Sequence, residues 1–376
     1  MSDNQFRLPP ADSFSYLMLA LVALSGEFPS SLVAYLPYSS AYKAKMISSL
    51  KKAHWLYHYS GHGLRGLRLT AAAKQALIRI QPERFGDILS SNNSVSSPKY
   101  DVPSRIRLHR MAEALVMIYY SGASVFPWEK PLVFLPDDQY APTAILTPAY
   151  YFSFEVKGMR KQSNIFRNSR ATGLILAPDS IYAVYNTAGG EMKWEYDTEL
   201  RLKVIIERDI CQHRLSDQYA YVKPEAILLG QSMEQLSLLL PGKKLAKKSF
   251  VLSNQFSRFH YLTLDYRGEV ILQLLCSNEK RTALDNLMKN DLSPRRHFIV
   301  ANDGFDEKGQ PVLLAYTCDL PRIHRFCSGL EHNDLTGVII CFDYQENALR
   351  EITGNRVTFS CIDFDKYERS ALYQSH

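Results

Sequence analysis

The sequence predicts an α/β protein, α+β overall, in which an N-terminal winged helix-turn-helix precedes a mixed α/β body. Residues 13–80 show three helical patterns, a glycine-containing hairpin and a fourth helix, which is the winged-helix order. Residues 294–368 alternate between strand and helix patterns, which indicates a mostly parallel sheet. The chain has 376 residues and is too long for one ordinary core, so we expect two or three domains.

The first three helices have recognisable ends. Residues 13–26 carry apolar side chains at the helical period, and Gly26 stops this helix. Ser30 and Ser31 cap a short second helix, which Pro37 ends. The third helix starts at Ser39. Its predicted buried side consists of four residues, Met46, Ile47, Leu50 and Ala53.

A hairpin and a fourth helix complete the N-terminal pattern. Residues 55–59 alternate like a strand, three glycines form a loose turn, and residues 67–69 return as the second strand. Thr70 caps the fourth helix, which we place at residues 71–80. We assign residues 1–89 to a winged-helix DNA-binding domain.

The charge of this domain favours an anionic partner. Between Glu27 and Glu83 there is no acidic residue, whereas the 55 positions 28–82 hold eight Lys and Arg. Residues 1–130 carry 15 basic and 8 acidic residues, a net of +7, and the remainder carries 29 and 30, a net of −1. A basic stretch without acids attracts a polyanion without opposing repulsion, which is typical of a nucleic-acid-binding surface.

We predict that the third helix is a recognition helix that enters the major groove of duplex DNA. The predicted DNA-binding residues are polar or basic: Tyr42, Lys45, Ser49 and Lys52 on the free face, Lys43 and Lys51 beside it for backbone phosphates, and Arg65 and Arg68 in the wing for the minor groove. The alternatives are a solvated helix face and a protein-docking surface.

Three histidines in the same window follow a spacing of four. His54, His58 and His62 would stack as metal ligands on an unbroken helix. Trp55 and the glycines after it indicate that the helix ends near residue 56. We therefore expect no metal site here and no cofactor.

The middle of the chain contains residues that match the sequence motif of a metal-dependent nuclease. Pro178-Asp179 is followed by Glu191-Met192-Lys193, a pattern of two carboxylates and a Lys that could hold a divalent metal and activate water. However, we expect residues 181–186 to pair with residues 192–196 across the turn at residues 187–190. In that hairpin Asp179 and Glu191 lie more than about 20 Å apart.

The candidate catalytic residues are therefore Asp179, Glu199 and Lys203. In the predicted hairpin Asp197 and Glu199 approach Asp179, and Lys203 follows one helical turn later. The structural alternative is that Asp197 caps a helix and Glu199 stabilises its N-terminal dipole. We lean towards a protein that is not an enzyme, and Mg²⁺ is a cofactor only if the nuclease alternative holds.

Three further regions follow the winged helix. Residues 90–126 combine a Ser-, Asn- and Pro-rich linker with a connecting helix whose Arg105, Arg107 and Arg110 are expected to extend the basic surface. We place an α/β nuclease-like domain at residues 127–290, including a hairpin of residues 261–265 and 269–275. A C-terminal α/β domain follows at residues 291–376.

With these features, the chain resembles the replication-relaxation proteins of plasmids and integrative conjugative elements. LRLTAAAKQAL is similar to the wing-to-helix junction of bacterial winged-helix regulators, and SRATGLILAPDSIYAVYNTAGGEMKWEYDTELRLK matches the family's second domain. The resemblance covers about residues 1–210. It implies a degenerate restriction-endonuclease-like domain, with Asp179 and Glu199 on its acidic positions.

The resemblance and the charge pattern together predict a DNA-binding accessory protein of mobile-element replication or conjugative transfer. The alternatives are a divalent-metal-dependent endonuclease or nickase and a winged-helix protein-docking subunit. Expected partners are double-stranded DNA and other replication or transfer proteins, and a homodimer is left open because winged helices often bind as dimers. The apolar run at residues 17–24 is too short to span a membrane, and six cysteines without a CxxC pair fit the cytoplasm, so we expect a cytoplasmic protein with no membrane partner.

Overall fold

The computed structural model describes residues 6–91, 93–135, 144–158, 169–190, 194–239, 250, 252, 255–294 and 300–373. The chain forms two compact units. The N-terminal unit comprises Met1–Tyr119 and Val125–Lys130, and the C-terminal unit comprises Tyr120–Ser124 and Pro131–His376. Most of the predicted connecting helix thus lies in the N-terminal unit, and the two predicted α/β domains share one unit.

The N-terminal unit has the element order and the sheet of a winged helix. Its elements are α1 (Phe14–Ser25), β1 (Phe28–Pro29), a 3-10 helix (Ser31–Tyr35), α2 (Ser40–Lys52), β2 (Leu56–Gly61), β3 (Leu64–Leu69), α3 (Ala71–Ile80), α4 (Pro82–Ser90), α5 (Val102–Tyr120) and a second 3-10 helix (Pro127–Glu129). The strands pair antiparallel in the order β1-β3-β2. The hairpin β2–β3 is the wing, and α2 has the place of the recognition helix.

Hydroxyl side chains begin three of these helices, as the sequence predicts. Ser13 accepts the backbone N–H of Tyr16 at 3.2 Å before α1, and Ser39 accepts that of Tyr42 at 3.3 Å before α2. Thr70 does the same for α3, at 3.0 Å from the N–H of Ala73. Each cap satisfies a backbone donor that has no partner within its helix. These local signals are why the helix starts could be read from the sequence.

The C-terminal unit contains a five-stranded mixed sheet. Its strands are β4 (Ala149–Phe152), β5 (Ala171–Ala177), β6 (Ser180–Asn186), β7 (Glu225–Gly230) and β8 (Phe259–Thr263), in the order β4-β5-β6-β7-β8. The pairs β4–β5 and β5–β6 are antiparallel, and β6–β7 and β7–β8 are parallel. The helical segments are α6 (Ser153–Gly158), α7 (Tyr196–Ile205) continuing as a π-helix (Ile206–Arg214), α8 (Ser216–Tyr219), α9 (Leu236–Leu239), α10 (Tyr266–Cys276) and α11 (Asn278–Lys289).

Two predicted hairpins in this unit are wrong. Strand β6 pairs with β5 across the turn at Pro178-Asp179 and with β7 on its other side, so it has no place for residues 194–196. Residues 191–193 lie outside the described residues, and Tyr196 already begins α7. Residues 266–276 form helix α10 instead of a strand, because Asp265 caps it by accepting the N–H of Gly268 at 3.1 Å.

A second sheet in the same unit has the predicted alternation of strands and helices. Its elements are β9 (Gly304–Phe305), β10 (Pro311–Leu314), α12 (Leu320–His332), β11 (Gly337–Phe342), α13 (Glu346–Thr353), β12 (Val357–Ile362) and α14 (Phe364–Tyr373). The order is β12-β11-β10-β9, with β10, β11 and β12 parallel. Leu313 and Ile339 of this sheet share one apolar core with Ala226 and Leu228 of the first. No helix among the described residues is long and apolar enough to cross a membrane.

Candidate nucleic-acid interface

The outer face of α2 is open and basic. The side chains predicted for the free face, Tyr42, Lys45, Ser49 and Lys52, are all exposed, and Lys51 beside them is exposed as well. Within the part of the chain that the structure describes, no carboxylate forms an ion pair with any of the three lysines. The first turn of α2 carries no acid, and its last turn carries Lys51 and Lys52. The helix therefore presents positive charge along the surface that a partner would meet.

The wing adds one exposed cation to this surface. Arg65 lies on β3 with its side chain exposed, while its backbone carbonyl accepts the N–H of Ser30 at 3.0 Å. Burial, and then the positive charges of Lys51 and Arg65, lower the pKa of His58 on β2. Lys51 at the end of α2 and Arg65 on the wing therefore both contribute positive potential at His58. We call Lys45, Ser49, Lys51, Lys52 and Arg65 the basic face.

Lys43 is not part of the basic face, so its predicted phosphate contact is wrong. Its side chain is buried, with 5% exposed, and its Nζ donates to the carbonyl oxygens of Ala34 at 2.9 Å and Leu36 at 2.8 Å. These carbonyls end the 3-10 helix before α2, where backbone acceptors have no partner within the helix. Lys43 thus fixes the turn between the two helices.

Arg68 is also buried, and its predicted contact with the minor groove is wrong. Only 2% of the residue is exposed. Its Nε and Nη2 donate to Oε2 of Glu27 at 2.9 Å and 2.6 Å, and Nη2 also donates to the carbonyl of Lys99 at 2.9 Å. The side chain therefore points into the unit from β3 and not along the wing surface.

Glu27 is the centre of a buried charge network that the sequence did not reveal. Its Oε1 accepts from Nη2 of Arg105 at 2.7 Å and lies 2.8 Å from Nε2 of His109. Burial alone would raise the pKa of Glu27, but the hydrogen bonds from His109, Arg105 and Arg68 outweigh it and lower this pKa to about 2. The carboxylate is therefore held ionised inside the N-terminal unit.

Arg105 connects this network to the wing. It is fully buried, and its guanidinium donates to the carbonyl oxygens of Gly61 at 2.6 Å and Leu64 at 3.0 Å, the two ends of the wing turn. The predicted role of Arg105 in the basic surface is therefore wrong. The ring of Tyr59 lies 4.4 Å from the guanidinium carbon of Arg68 and 4.5 Å from that of Arg105. Helix α5 thus holds the wing in place.

The second candidate site is not assembled. Asp179 lies in the turn between β5 and β6, where its Oδ2 is 3.3 Å from Nη2 of Arg281. Glu199 is fully buried and accepts from the hydroxyl of Tyr185 at 2.8 Å, at the opposite end of β6. Tyr185 is six residue steps beyond Asp179 along the strand, on the order of 20 Å. Asp179 and Glu199 therefore cannot share a metal ion, and the predicted approach of Glu199 to Asp179 is wrong.

The remaining contacts of these residues are structural. Glu199 also accepts from the hydroxyl of Ser169 at 3.0 Å and the N–H of Arg170 at 2.9 Å. Burial raises the pKa of Glu199 although these hydrogen bonds oppose the shift. Lys203 lies 3.5 Å from Glu207, one turn along the same helical segment. Glu191 and Lys193 lie outside the described residues.

No metal-binding arrangement is present in the described ranges. In them, no group of three or more His, Cys, Asp or Glu side chains could hold a metal ion. His58 lies within β2, whereas His54 and His62 lie on either side of that strand in left-handed backbone with φ of 58° and 53°. The backbone thus separates the three imidazoles that a continuous helix would have stacked.

Comparison with known proteins adds no relative, because no family model, curated protein or solved structure matches this chain.

Proposed function

We propose that the N-terminal unit binds duplex DNA, and that the protein is an accessory factor in the replication or conjugative transfer of a mobile element. The observation that carries the proposal is the exposed basic face on the recognition-helix position of a winged helix. Positions 28–82 contain no acid, and Glu27, the acid that directly precedes them in the sequence, is buried in its own ion pairs. Nothing acidic on that stretch opposes a polyanion. The resemblance to replication-relaxation proteins supports the cellular setting.

In this proposal the residues of the basic face divide between the groove and the backbone. Lys45, Ser49 and Lys52 share one face of α2 at intervals of about one helical turn, so they reach base edges together when the helix enters the major groove. Lys51 and Arg65 lie beside that face and meet phosphates, which position the protein without reading sequence.

The buried contacts prepare this surface before DNA arrives. Lys43 fixes the turn that leads into α2, and Arg105 holds both ends of the wing turn. Ordering of loops and side chains on binding lowers affinity, so a surface that is rigid beforehand binds more tightly. The α/β body acts in our proposal without catalysis, in assembly or in positioning DNA.

The decisive experiment replaces two residues of the basic face. Lys45→Ala with Lys52→Ala should weaken binding of the full chain to duplex DNA by about tenfold to a hundredfold, because each lost contact costs about 1 kcal/mol or more. Binding of the wild type should also weaken steeply with salt. Fluorescence anisotropy over a range of salt concentrations measures both effects.

The matched control removes the same charge elsewhere. Lys308 and Lys366 are exposed in the C-terminal unit, and their double replacement by Ala should leave DNA affinity unchanged. Equal affinities for the two double variants would show that α2 is not the DNA-contacting helix. An interaction that is insensitive to salt would support the protein-docking alternative instead. Footprinting on DNA next to the protein's own gene tests the mobile-element setting.

A further inference from the structure

A polar cavity of about 500 Å³ lies in the C-terminal unit, within the size range of small-molecule sites. Three arginines from separate elements line it: Arg258 just before β8, Arg281 on α11 and Arg322 in the first turn of α12. Tyr316 and Thr317, which follow β10, line it as well. The cavity is thus at the carboxyl end of a parallel strand and beside a helix start, where α/β proteins commonly bind ligands.

Within the part of the chain that the structure describes, the guanidinium groups of Arg258 and Arg281 keep much of their hydrogen-bonding capacity. Nε of Arg258 lies 3.5 Å from Glu225 and 3.8 Å from Asp319, which are long contacts, and half of this side chain is exposed. Arg281 uses one nitrogen, Nη2, for contacts at 3.3 Å and 3.1 Å. A guanidinium has five N–H groups, so the carboxylates orient these arginines without saturating them.

A buried histidine, His260, also lines the cavity. It is 1% exposed, with its Nε2 2.9 Å from Oε2 of Glu225. Its Nδ1 has no hydrogen-bond partner among the residues that the structure describes. Buried polar atoms in proteins are usually paired, so the cavity lining has unused polar capacity.

Two aspartates complete the lining. Asp303 accepts from Nη2 of Arg322 at 2.6 Å and from the N–H of Leu314 at 2.8 Å, and Asp285 accepts the hydroxyl of Tyr316 at 2.7 Å. Carboxylates that already hold donors can still accept from a ligand hydroxyl or amino group. The cavity therefore combines arginine forks, which match phosphate oxygens, with acceptors suited to a sugar or a base.

We propose that this cavity binds the phosphate group of a ligand of mononucleotide size, with Arg258 and Arg281 contacting the phosphate and Asp285 and Asp303 accepting from its hydroxyl or amino groups. The phosphate belongs either to a free nucleotide or to the end of a nucleic-acid strand. This site is in the C-terminal unit and does not rest on DNA binding by the basic face.

Calorimetric titration of the full chain with adenosine monophosphate tests the proposal. We expect saturable binding that Arg258→Ala combined with Arg281→Ala weakens by at least about a hundredfold, since each lost charge-assisted contact costs about a factor of ten. Adenosine, which lacks the phosphate, should bind much more weakly. Absence of binding by both adenosine monophosphate and inorganic phosphate would overturn the proposal.

Matched variants separate a binding role from a folding role. Arg208 and Arg350 are exposed, ion-paired arginines outside the cavity lining, and their double replacement by Ala should leave binding unchanged. Arg258→Ala alone tests the site if the double variant fails to fold, because Arg258 is half-exposed. If a folded cavity variant and the control variant bind adenosine monophosphate equally well, the proposal is wrong.

Competition identifies the source of the phosphate. A short single strand with a 5′-phosphate that displaces adenosine monophosphate, when the same strand without that phosphate does not, assigns the site to a nucleic-acid end. Displacement by neither strand, with adenosine monophosphate binding intact, assigns it to a free nucleotide. Equal displacement of adenosine monophosphate from the wild type by both strands contradicts a site specific for a terminal phosphate.

Discussion

A single carboxylate, Glu27, forms ion pairs with two buried arginines in the N-terminal unit. Arg68 comes from β3 and Arg105 from α5, so one residue ties the wing to a helix almost forty residues later in the chain. Removing one member of a buried ion pair leaves the others charged and unpaired, which costs far more than the pair itself contributes. The sequence showed Glu27 only as the last acid before the acid-free window.

Glu27→Gln should lower the free energy of unfolding of the N-terminal unit by about 3 kcal/mol at neutral pH, because Arg68 and Arg105 lose their counter-charge. The pKa of Glu27 falls from its ordinary 4.5 to about 2 in the folded protein. Its contribution is therefore complete above about pH 4.5 and is lost as the pH falls towards 2. Urea unfolding at several pH values between about 5 and 2 measures the change.

Glu83→Gln is the control for this prediction, since Glu83 is exposed on α4 and its replacement should change stability by less than about 0.5 kcal/mol. The wild type should lose stability on acidification more steeply than Glu27→Gln does. If the wild type and Glu27→Gln lose stability equally with falling pH, the assignment of this pKa to Glu27 is wrong.

Local elements were predictable where short-range chemistry fixes them. The caps Ser13, Ser39 and Thr70 and the glycines of the wing all act within a few residues, so the winged helix could be read from the sequence. The partners of β6 could not, because β7 lies about forty residues away and only tertiary packing selects it. The apolar run of α10 fits a strand or a helix equally, and the cap at Asp265 decides.

Replacement by Ala should have opposite effects on stability at two glycines of the N-terminal unit, Gly66 and Gly86. A Cβ at Gly66 on β3 would lie 2.5 Å from Cγ of Glu27, so Gly66→Ala should destabilise the N-terminal unit by more than 1 kcal/mol, on the order of an overpacked core. A Cβ at Gly86 inside α4 would meet no atom within 4 Å. Gly86→Ala should therefore stabilise the unit by about 0.5–1 kcal/mol, through the higher helix propensity of Ala.

Urea midpoints of the two variants test this pair directly. Each variant is the control for the other, because both add one methyl group to the same unit and differ only in what surrounds that group. If Gly66→Ala raises the urea midpoint as Gly86→Ala does, the close approach of Glu27 to the wing is wrong.

The molecule as a whole divides into a basic N-terminal unit and a larger unit in which two sheets share a core. The division into a winged helix and an α/β body followed from charge and periodicity. The separation of Asp179 from Glu199 could not be predicted, because the distance between them depends on which strand lies beside β6. The arginine-lined cavity was also invisible, since its residues are spread over positions 258–322.

Because Asp179 and Glu199 lie at opposite ends of β6, we expect no nuclease activity of this protein that depends on the two carboxylates together. Supercoiled plasmid incubated with Mg²⁺ or Mn²⁺ should be nicked no more by the wild type than by Asp179→Ala. The reason is that carboxylates so far apart cannot hold one metal ion. Gel electrophoresis of the plasmid measures nicking, and a chelator gives the background. Metal-dependent nicking that vanishes with Asp179→Ala would restore the endonuclease alternative.

The burial of Lys43 and Arg68 bears on how many counterions DNA releases when the protein binds. The window of positions 28–82 holds eight Lys and Arg, but Lys43 and Arg68 point inward and Lys74 donates to the carbonyl of Ser96 at 2.6 Å. Arg79 lies on α3, outside the basic face, which leaves four cations on α2 and the wing. At about 0.9 ions per neutralised phosphate, a logarithmic plot of affinity against salt should have a slope between about −2, if only Lys51 and Arg65 meet phosphates, and about −4, if all four cations do, and not near −7.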